Sequence, residues 1–293
     1  MKFQSLFAMA ITMVVFQSCQ KEPSNNNGNG TAKVNFIFKF DSTQVRLNAI
    51  GQPSPMPVGN AGQSPRFNTM SAHYVELAPD AFTALGGGAI LYKAPEVTTG
   101  GSKAIDFSNS KFAGNNQLFL SVPVNSFAAG SYNWLRISLA YQNYNIYVNA
   151  LGQTIDATLA SFIGYNTYLG NFKVKDSTVV VNANKAQGYW GLEGKVSGFG
   201  FLSTGQAPPG ATTVPNPIFA TSPIPQGSCV VTAQFATPFL VSGNETKDIT
   251  IIVSLSTNKS FEWIDVDNNG TYDPNNGDQV IDMGIRGMIP IIQ

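Results

Sequence analysis

The chain alternates apolar and polar residues with a period of two over most of its length. The segment 34–40 places valine or phenylalanine at nearly every second position, which predicts a β-strand with one strongly apolar face. Amphipathic windows long enough for a helix of several turns are missing, and 79–85 predicts one short helix. Further β-type segments lie at 73–77, 89–93, 117–122, 132–141, 144–148, 162–174, 177–182, 189–196, 229–235, 248–255 and 260–266.

Turn residues separate these segments and set the expected fold class. Glycines at 86–88 and 100–101, and Asn143, mark chain reversals. Many short strands joined by turns, without crossover helices, predict an all-β fold built as an antiparallel β-sandwich. The length of 33–293 allows one large sandwich or two smaller ones. The proline-rich stretch 203–228 is either a division between domains or a long surface loop.

The N-terminal segment has the architecture of an export signal. Lys2 precedes an apolar run at 6–16, which is too short to span a bilayer permanently and ends shortly before Cys19. This arrangement resembles the lipobox signal of bacterial lipoproteins, although Phe16 stands where the usual pattern has leucine. The resemblance implies cleavage directly before Cys19 and attachment of lipid to its thiol. The alternative is an ordinary secretory signal that leaves Cys19 as a free thiol.

The same resemblance implies a lipid-anchored protein of the cell envelope. Residues 1–18 are then the signal peptide, and 19–32 hold the lipidated cysteine and a flexible polar tether. This points to an outer-membrane lipoprotein and leaves open whether it faces the periplasm or the cell surface. The second cysteine, Cys229, then has no partner in the chain, and its strand-like surroundings predict a buried thiol.

The charge balance narrows the classes of partner. Lysine plus arginine equals aspartate plus glutamate at 17 each, and charged residues make up 12% of the chain, against about 25% in a typical domain. No cluster of lysine and arginine is present, so the sequence offers no electrostatic footprint for nucleic acid. The remaining partner classes are the membrane, through the lipid anchor, and a glycan or another envelope protein.

One segment near the C-terminus carries the chemistry of a metal site. Six of the 17 acidic residues fall between 262 and 282, and 265–273 has the form D-x-D-x-N-G-x-x-D. This spacing resembles the calcium loop of EF-hand and dockerin-type proteins, in which alternate oxygen ligands converge around a tight turn. The resemblance implies that Ca²⁺ is bound by Asp265, Asp267, Asn269, the carbonyl of Thr271, Asp273 and Asp278.

The segment departs from that family in two respects. A bidentate glutamate is expected at the twelfth position, where this chain has Asn276, and Asp278 is the best substitute. The flanks at 261–264 and 279–281 predict strands, so the EF-hand fold is not implied. A calcium ion here would pin two strands and stabilise the fold. The alternative is a solvated acidic turn, although clustered carboxylates without a cation repel one another.

Two other sets of residues offer candidate binding chemistry. Met70 and His73 lie three residues apart and provide thioether and imidazole ligands for copper. Together with the early Phe-x-Phe strand, they resemble periplasmic copper-binding lipoproteins of the MbnP-like type. The second set consists of aromatic residues that would stack on sugar rings: Tyr141, Tyr144, Tyr147, Tyr189 and Trp190. For both sets, the alternative to ligand binding is that the side chains pack within or between strands.

The sequence carries no recognised catalytic fingerprint. His73 is its single histidine, and no nucleophile elbow, phosphate-binding loop or dinucleotide motif is present. Acidic residues suited to a glycosidase are available, but no spacing singles out a pair. The pattern favours a non-enzymatic binding or structural β-module of the cell envelope with a structural calcium loop. The alternatives are a glycan-binding or polysaccharide-degrading surface lipoprotein and a periplasmic copper-binding protein.

Overall fold

The computed structural model of the protein describes residues 31–207, 216–222, 224 and 226–293. The predicted signal peptide, Cys19 and most of the predicted tether lie outside these residues. Thr31–Gln293 group into one compact unit. Its strands, numbered in chain order, are β1 (Lys33–Asp41), β2 (Asn60–Gln63), β3 (Arg66–Ala78), β4 (Ala89–Lys93), β5 (Glu96–Val97), β6 (Ala104–Asp106), β7 (Phe112–Ala113), β8 (Gln117–Pro123), β9 (Gly130–Ala150), β10 (Gln153–Phe162), β11 (Thr167–Lys173), β12 (Thr178–Lys185), β13 (Tyr189–Val196), β14 (Phe199–Gln206), β15 (Val230–Val241), β16 (Ile249–Ser256), β17 (Phe261–Ile264), β18 (Gln279–Asp282) and β19 (Met288–Ile292).

These strands form the all-β, mainly antiparallel sandwich that the period-two pattern predicts. One sheet has the order β19-β16-β1-β8, and a larger one has the order β14-β13-β10-β9-β3-β4, with β15 added to β9 and β7 added to β3. Two smaller sheets have the orders β12-β11-β6-β5 and β18-β17-β2. Across the described ranges, helical structure consists of three-residue 3-10 turns, at Phe107–Asn109, Val124–Ser126 and Pro274–Asn276. Within the same ranges, no helix has the length and apolar character needed to cross a membrane.

Strand β9 is the axis of the largest sheet. It runs for 21 residues, with β3 along one edge and with β10 and then β15 along the other. Ten consecutive residues in its middle are buried. Other layers of the protein therefore cover both sides of this part of the strand.

The main core lies between the β1 sheet and the first part of β9. Val34, Phe36 and Phe38 of β1 have no exposed surface, and they belong to the same buried cluster as Leu135 and Ile137 of β9. Burying one side chain of this type stabilises a fold by about 1.5–3 kcal/mol. The apolar face predicted for 34–40 is therefore the inner face of the sandwich.

Strand β1 lies between two strands from distant parts of the chain. It pairs in parallel with β16 and antiparallel with β8. At its start, the backbone N–H of Lys33 donates to Oδ1 of Asp248 at 2.9 Å, across 215 positions of sequence. The N-terminal strand of the unit is thus held by C-terminal residues.

Two smaller cores cover the second part of β9. Ile146 and Val148 pack with Phe261 and Trp263 of β17, whereas Tyr141, on the opposite face of the strand, packs into a cluster formed with β11. The first of these cores fixes the β17–β18 hairpin on the sheet, and this hairpin carries the acidic loop.

Two local expectations are wrong. The predicted helix at 79–85 is a series of turns, because the carbonyls of Ala81 and Thr83 accept hydrogen bonds from the Arg136 side chain. The predicted turn at Asn143 lies inside β9, because the Asn143 amide is buried there and donates to the carbonyl of Val174 at 2.8 Å. A tertiary partner decides the local structure in both cases.

The proline-rich stretch is described only in part. Its first residues, through Gln206, belong to strand β14. Further along, Ile218 is buried and belongs to a small cluster with Val230, whereas Phe219 is 48% exposed. The residues of this stretch from 226 lead into β15, which pairs with β9.

Candidate metal site

The acidic loop joins the two strands of a hairpin. It begins after β17 and ends before β18, and these strands pair through Trp263 opposite Val280 and Ile264 opposite Gln279. Trp263 is almost fully buried in the core against β9. The hairpin therefore provides a rigid base, and the residues between its strands form the loop 265–278.

Three carboxylates converge within this loop. One oxygen each of Asp265, Asp267 and Asp278 can be chosen so that all three lie within 4.8 Å of one another. Asp265 and Asp278 are buried, whereas Asp267 is exposed. Oxygens that share one Ca²⁺ at about 2.3–2.6 Å lie at most about 5 Å apart, so this spacing is compatible with a single shared ion.

The backbone turn between these aspartates is tight. Asn268 and Gly270 both have left-handed backbone angles, with φ of 58° and 73°. The turn directs the backbone N–H groups of Asn269 and Gly270 toward the Asp265 carboxylate, to which they donate at 3.2 and 2.8 Å. Glycine adopts this conformation without steric cost, which explains its place at the sixth position of the loop.

Asp278 closes the loop from its far end. One carboxylate oxygen accepts from the backbone N–H of Val266 at 3.1 Å, and the other accepts from that of Asp273 at 2.8 Å. It therefore holds the beginning and the middle of the loop together.

The other predicted ligands have different surroundings. Asp273 is not a member of the three-carboxylate group, and its Oδ1 accepts from the backbone N–H of Asn275 at 3.1 Å, which caps the short 3-10 turn. The Oδ1 of Asn269 accepts from the backbone N–H of Thr271 at 2.7 Å. The Thr271 hydroxyl in turn accepts from the Asn149 amide at 3.0 Å, which attaches the loop to β9.

Sequence reasoning missed the ion pairs beneath the loop. Glu262 and Asp282 lie opposite each other on β17 and β18, and both are buried. The Arg46 guanidinium contacts Glu262, and Arg286 donates to Asp282 at 3.0 Å. Two of the six acidic residues are therefore neutralised by arginines. In the sequence, only the Asp282–Arg286 pair could have been anticipated, because these residues lie four positions apart. Arg46 is too distant from Glu262 in sequence to suggest a pair.

The five candidate stacking aromatics do not share one exposed surface. Tyr141, Tyr144 and Tyr189 are buried, the first and third in one cluster and the second in another. Tyr147 is 52% exposed, and the Arg66 guanidinium lies 4.7 Å from the centre of its ring. Trp190 is half-buried and lines an apolar cavity.

The residues considered for copper are held by other contacts. Met70 is fully buried in the main core. The Nε2 of His73 lies 3.1 Å from Oε1 of Glu96, and its ring stacks on that of Tyr165 at 5.3 Å. The same Glu96 carboxylate contacts Lys93 and Lys103. The imidazole is therefore part of a charged network at the edge of the core.

The Cys229 thiol has low reactivity. Cys229 is buried, and desolvation raises the pKa of its thiol to about 12. The thiolate is the nucleophilic form of cysteine, so Cys229 is not a nucleophile near neutral pH.

Comparison of the chain with protein-family models, with curated proteins and with solved structures finds no match.

Proposed function

We propose that the loop 265–278 binds one calcium ion and that the protein is a non-enzymatic, calcium-stabilised β-module of the cell envelope. The observation that carries this proposal is the convergence of three carboxylates, two of them buried, on one point of a hairpin. Carboxylate oxygens are the preferred ligands of Ca²⁺ in proteins.

The charge around the loop supports a cation. Within the described ranges, no lysine or arginine forms an ion pair with Asp265, Asp267 or Asp278, whereas Glu262 and Asp282 each contact an arginine. Backbone N–H groups compensate part of the negative charge, but three carboxylates this close repel one another, and a bound cation relieves that repulsion. A divalent ion of oxygen-preferring chemistry fits this arrangement.

The position of the loop supports a stabilising role. The loop joins β17 to β18, and the backbone N–H of Asn149 on β9 donates to the carbonyl of Tyr272 at 2.7 Å. The Tyr272 ring lies 5.0 Å from that of Phe261. An ion that fixes the loop would therefore also fix its contacts with the smaller core that contains Phe261 and Trp263.

Calcium is expected to raise the melting temperature of the protein. At about 10 mM Ca²⁺, a site with a Kd of about 10⁻⁴ M, as in extracellular modules, stabilises a fold by about 3 kcal/mol. For a chain of this size, that corresponds to a rise of about 5–10 °C. Thermal unfolding in EDTA, in Ca²⁺ and in Mg²⁺ measures the effect.

A matched pair of variants assigns this effect to the loop. Asp267→Asn removes one exposed carboxylate from the group and is expected to abolish most of the calcium-dependent rise. Asp156→Asn removes a carboxylate that is half exposed and pairs with Arg66 on the surface, and it should keep the full rise. A wild-type melting temperature that is the same in EDTA and in calcium would rule out the calcium proposal.

The envelope location is proposed from the N-terminal signal, and it has a separate test. Cys19→Ala in the full chain is expected to release the protein from the membrane fraction, since acyl chains on Cys19 would provide the anchor. Cys229→Ala removes the other, buried cysteine and should leave the distribution unchanged. Membrane association that persists in Cys19→Ala, with no lipid mass on the wild type, would argue against the lipoprotein assignment.

A further inference from the structure

A cavity of about 420 Å³ lies between the largest sheet and the β17–β18 hairpin. Trp190 and Leu192 of β13 line it from the sheet, and Phe261, Tyr272 and Val280 line it from the hairpin. The cavity extends from Ile146 of β9 and Leu159 of β10 to the outer strands of the sheet. The volume lies in the range of small-molecule sites, about 300–1,000 Å³.

The Trp190 indole lies over a glycine. Trp190 pairs with Gly205 on the neighbouring edge strand β14. A β-carbon at position 205 would lie 2.5 Å from Cζ2 and 2.8 Å from Cε2 of the indole, which is closer than atoms can approach. The ring therefore occupies the space of the missing side chain. A glycine inside a strand often marks such a close approach, and here it sets the position of the aromatic ring in the cavity wall.

The chemistry of the lining defines the class of ligand. The residues that line the cavity include no charged side chain, and most of them are aliphatic or aromatic. The lining residues with a polar side-chain group are Gln206, Gln279, Trp190 and Tyr272. The Gln206 amide already donates to the carbonyl of Gln187 at 2.7 Å. Burying a charge against such a surface is costly, whereas an apolar ring gains by leaving water and by stacking on aromatic side chains.

We propose that this cavity is a binding site for a neutral, ring-bearing apolar small molecule, with the Trp190 indole as its main contact. The volume limits the ligand to a few fused or linked rings, and the Gln279 amide offers a hydrogen bond to a carbonyl or hydroxyl group at its edge. The ligand needs no contact with a metal ion, but Tyr272 belongs to the loop 265–278, so the calcium concentration is held constant in the test.

Titration with the neutral fluorescent probe N-phenyl-1-naphthylamine tests this site. The protein is the full chain carrying Cys19→Ala, so that no acyl chain contributes to binding, at a fixed calcium concentration. We expect saturable binding of one probe per chain, with quenching of tryptophan emission. Far-UV circular dichroism of each variant confirms that it is folded.

Two variants perturb the indole by different routes, and each has a control. Trp190→Ala removes the ring, and Gly205→Val displaces it; both are expected to weaken the Kd by at least about tenfold. Trp134→Ala removes an indole from the lining of a separate cavity, and Gly200→Val adds a side chain on β14 where nothing lies within 4 Å. Both controls should bind like the parent. Absence of saturable binding by the parent, or equal affinity in all five proteins, would overturn the proposal.

Discussion

Replacing Arg136 with methionine is expected to lower the free energy of unfolding by about 3–5 kcal/mol, because it leaves a buried carboxylate without its cation. Arg136 and Glu76 have no exposed side-chain surface, and Nη1 of the arginine lies 3.2 Å from Oε1 of the glutamate. Desolvation raises the pKa of Glu76. In the variant, this group must either stay charged without a partner or take up a proton.

The Arg136→Met substitution also removes hydrogen bonds to the segment between β3 and β4. The Arg136 side chain donates to the carbonyls of Ala81 and Thr83, and its Nε donates to the Thr232 hydroxyl at 3.0 Å. The other Glu76 oxygen accepts from the backbone N–H of Gly86 at 2.8 Å. This ion pair therefore fixes the whole turn segment on the sheet, and methionine replaces none of these hydrogen bonds.

Urea denaturation of a matched surface variant provides the comparison. Arg66 pairs with Asp156 at 2.6 Å, but both side chains are about half exposed, and Arg66→Met should cost at most about 1 kcal/mol. Adding Glu76→Gln to Arg136→Met should recover part of the loss, since the amide carries no charge and keeps an acceptor for Gly86. A cost for Arg136→Met no larger than that for Arg66→Met would contradict this account.

The stability of the protein is expected to fall as the pH decreases from about 6.5 to about 4, through His73. Burial lowers the pKa of this imidazole from 6.5 to about 4 in the folded protein. In this interval the unfolded chain binds a proton that the folded protein does not bind, so acid favours unfolding. The contribution of His73 is fully present above pH 6.5, and about 3 kcal/mol of it is lost by pH 4.

The single histidine makes this effect measurable. His73→Gln has no titrating ring and keeps an N–H that can donate to Glu96, so its stability should change less between pH 4.5 and 6.5 than that of the wild type. Glu76, whose pKa is raised, acts in the opposite direction in both proteins and cancels in the comparison. Denaturant midpoints at several pH values give both curves, and parallel curves would show that His73 is not responsible.

Strands with clear turn residues on both sides could be predicted from the sequence almost to the residue. Ala89–Lys93 and Tyr189–Val196 are examples. The segment predicted at 162–174 corresponds to β11 and includes only the last residue of β10, so most of β10 was missed. The chain turns between the two strands at Gly164, where a β-carbon would lie 2.2 Å from the carbonyl oxygen of Leu139. Strand β14 was missed, since its sequence FGFLSTGQ is mostly exposed and shows no clear alternation. Edge strands take their conformation from a neighbour rather than from their own burial pattern.

The candidate metal site shows the same limit. Regular spacing along the loop identified Asp265 and Asp267, because alternate residues of a tight turn meet in space. Local sequence could not reveal that Glu262 belongs to Arg46, more than 200 positions away. A count of acidic residues in 262–282 therefore overstates the negative charge near the loop, because Glu262 and Asp282 pair with arginines that the tertiary structure brings next to them.

The place of β1 between β8 and β16 sets the order in which the sandwich can be completed. The ribosome delivers the N-terminal strand first, but its parallel partner lies at Ile249–Ser256. Closing so long a loop is entropically costly, and proteins dominated by such contacts fold slowly. The phenylalanines of β1 therefore stay without their full core until the chain has been synthesised through Ser256. Throughout that interval, the growing chain depends on solubility or on chaperones to avoid aggregation.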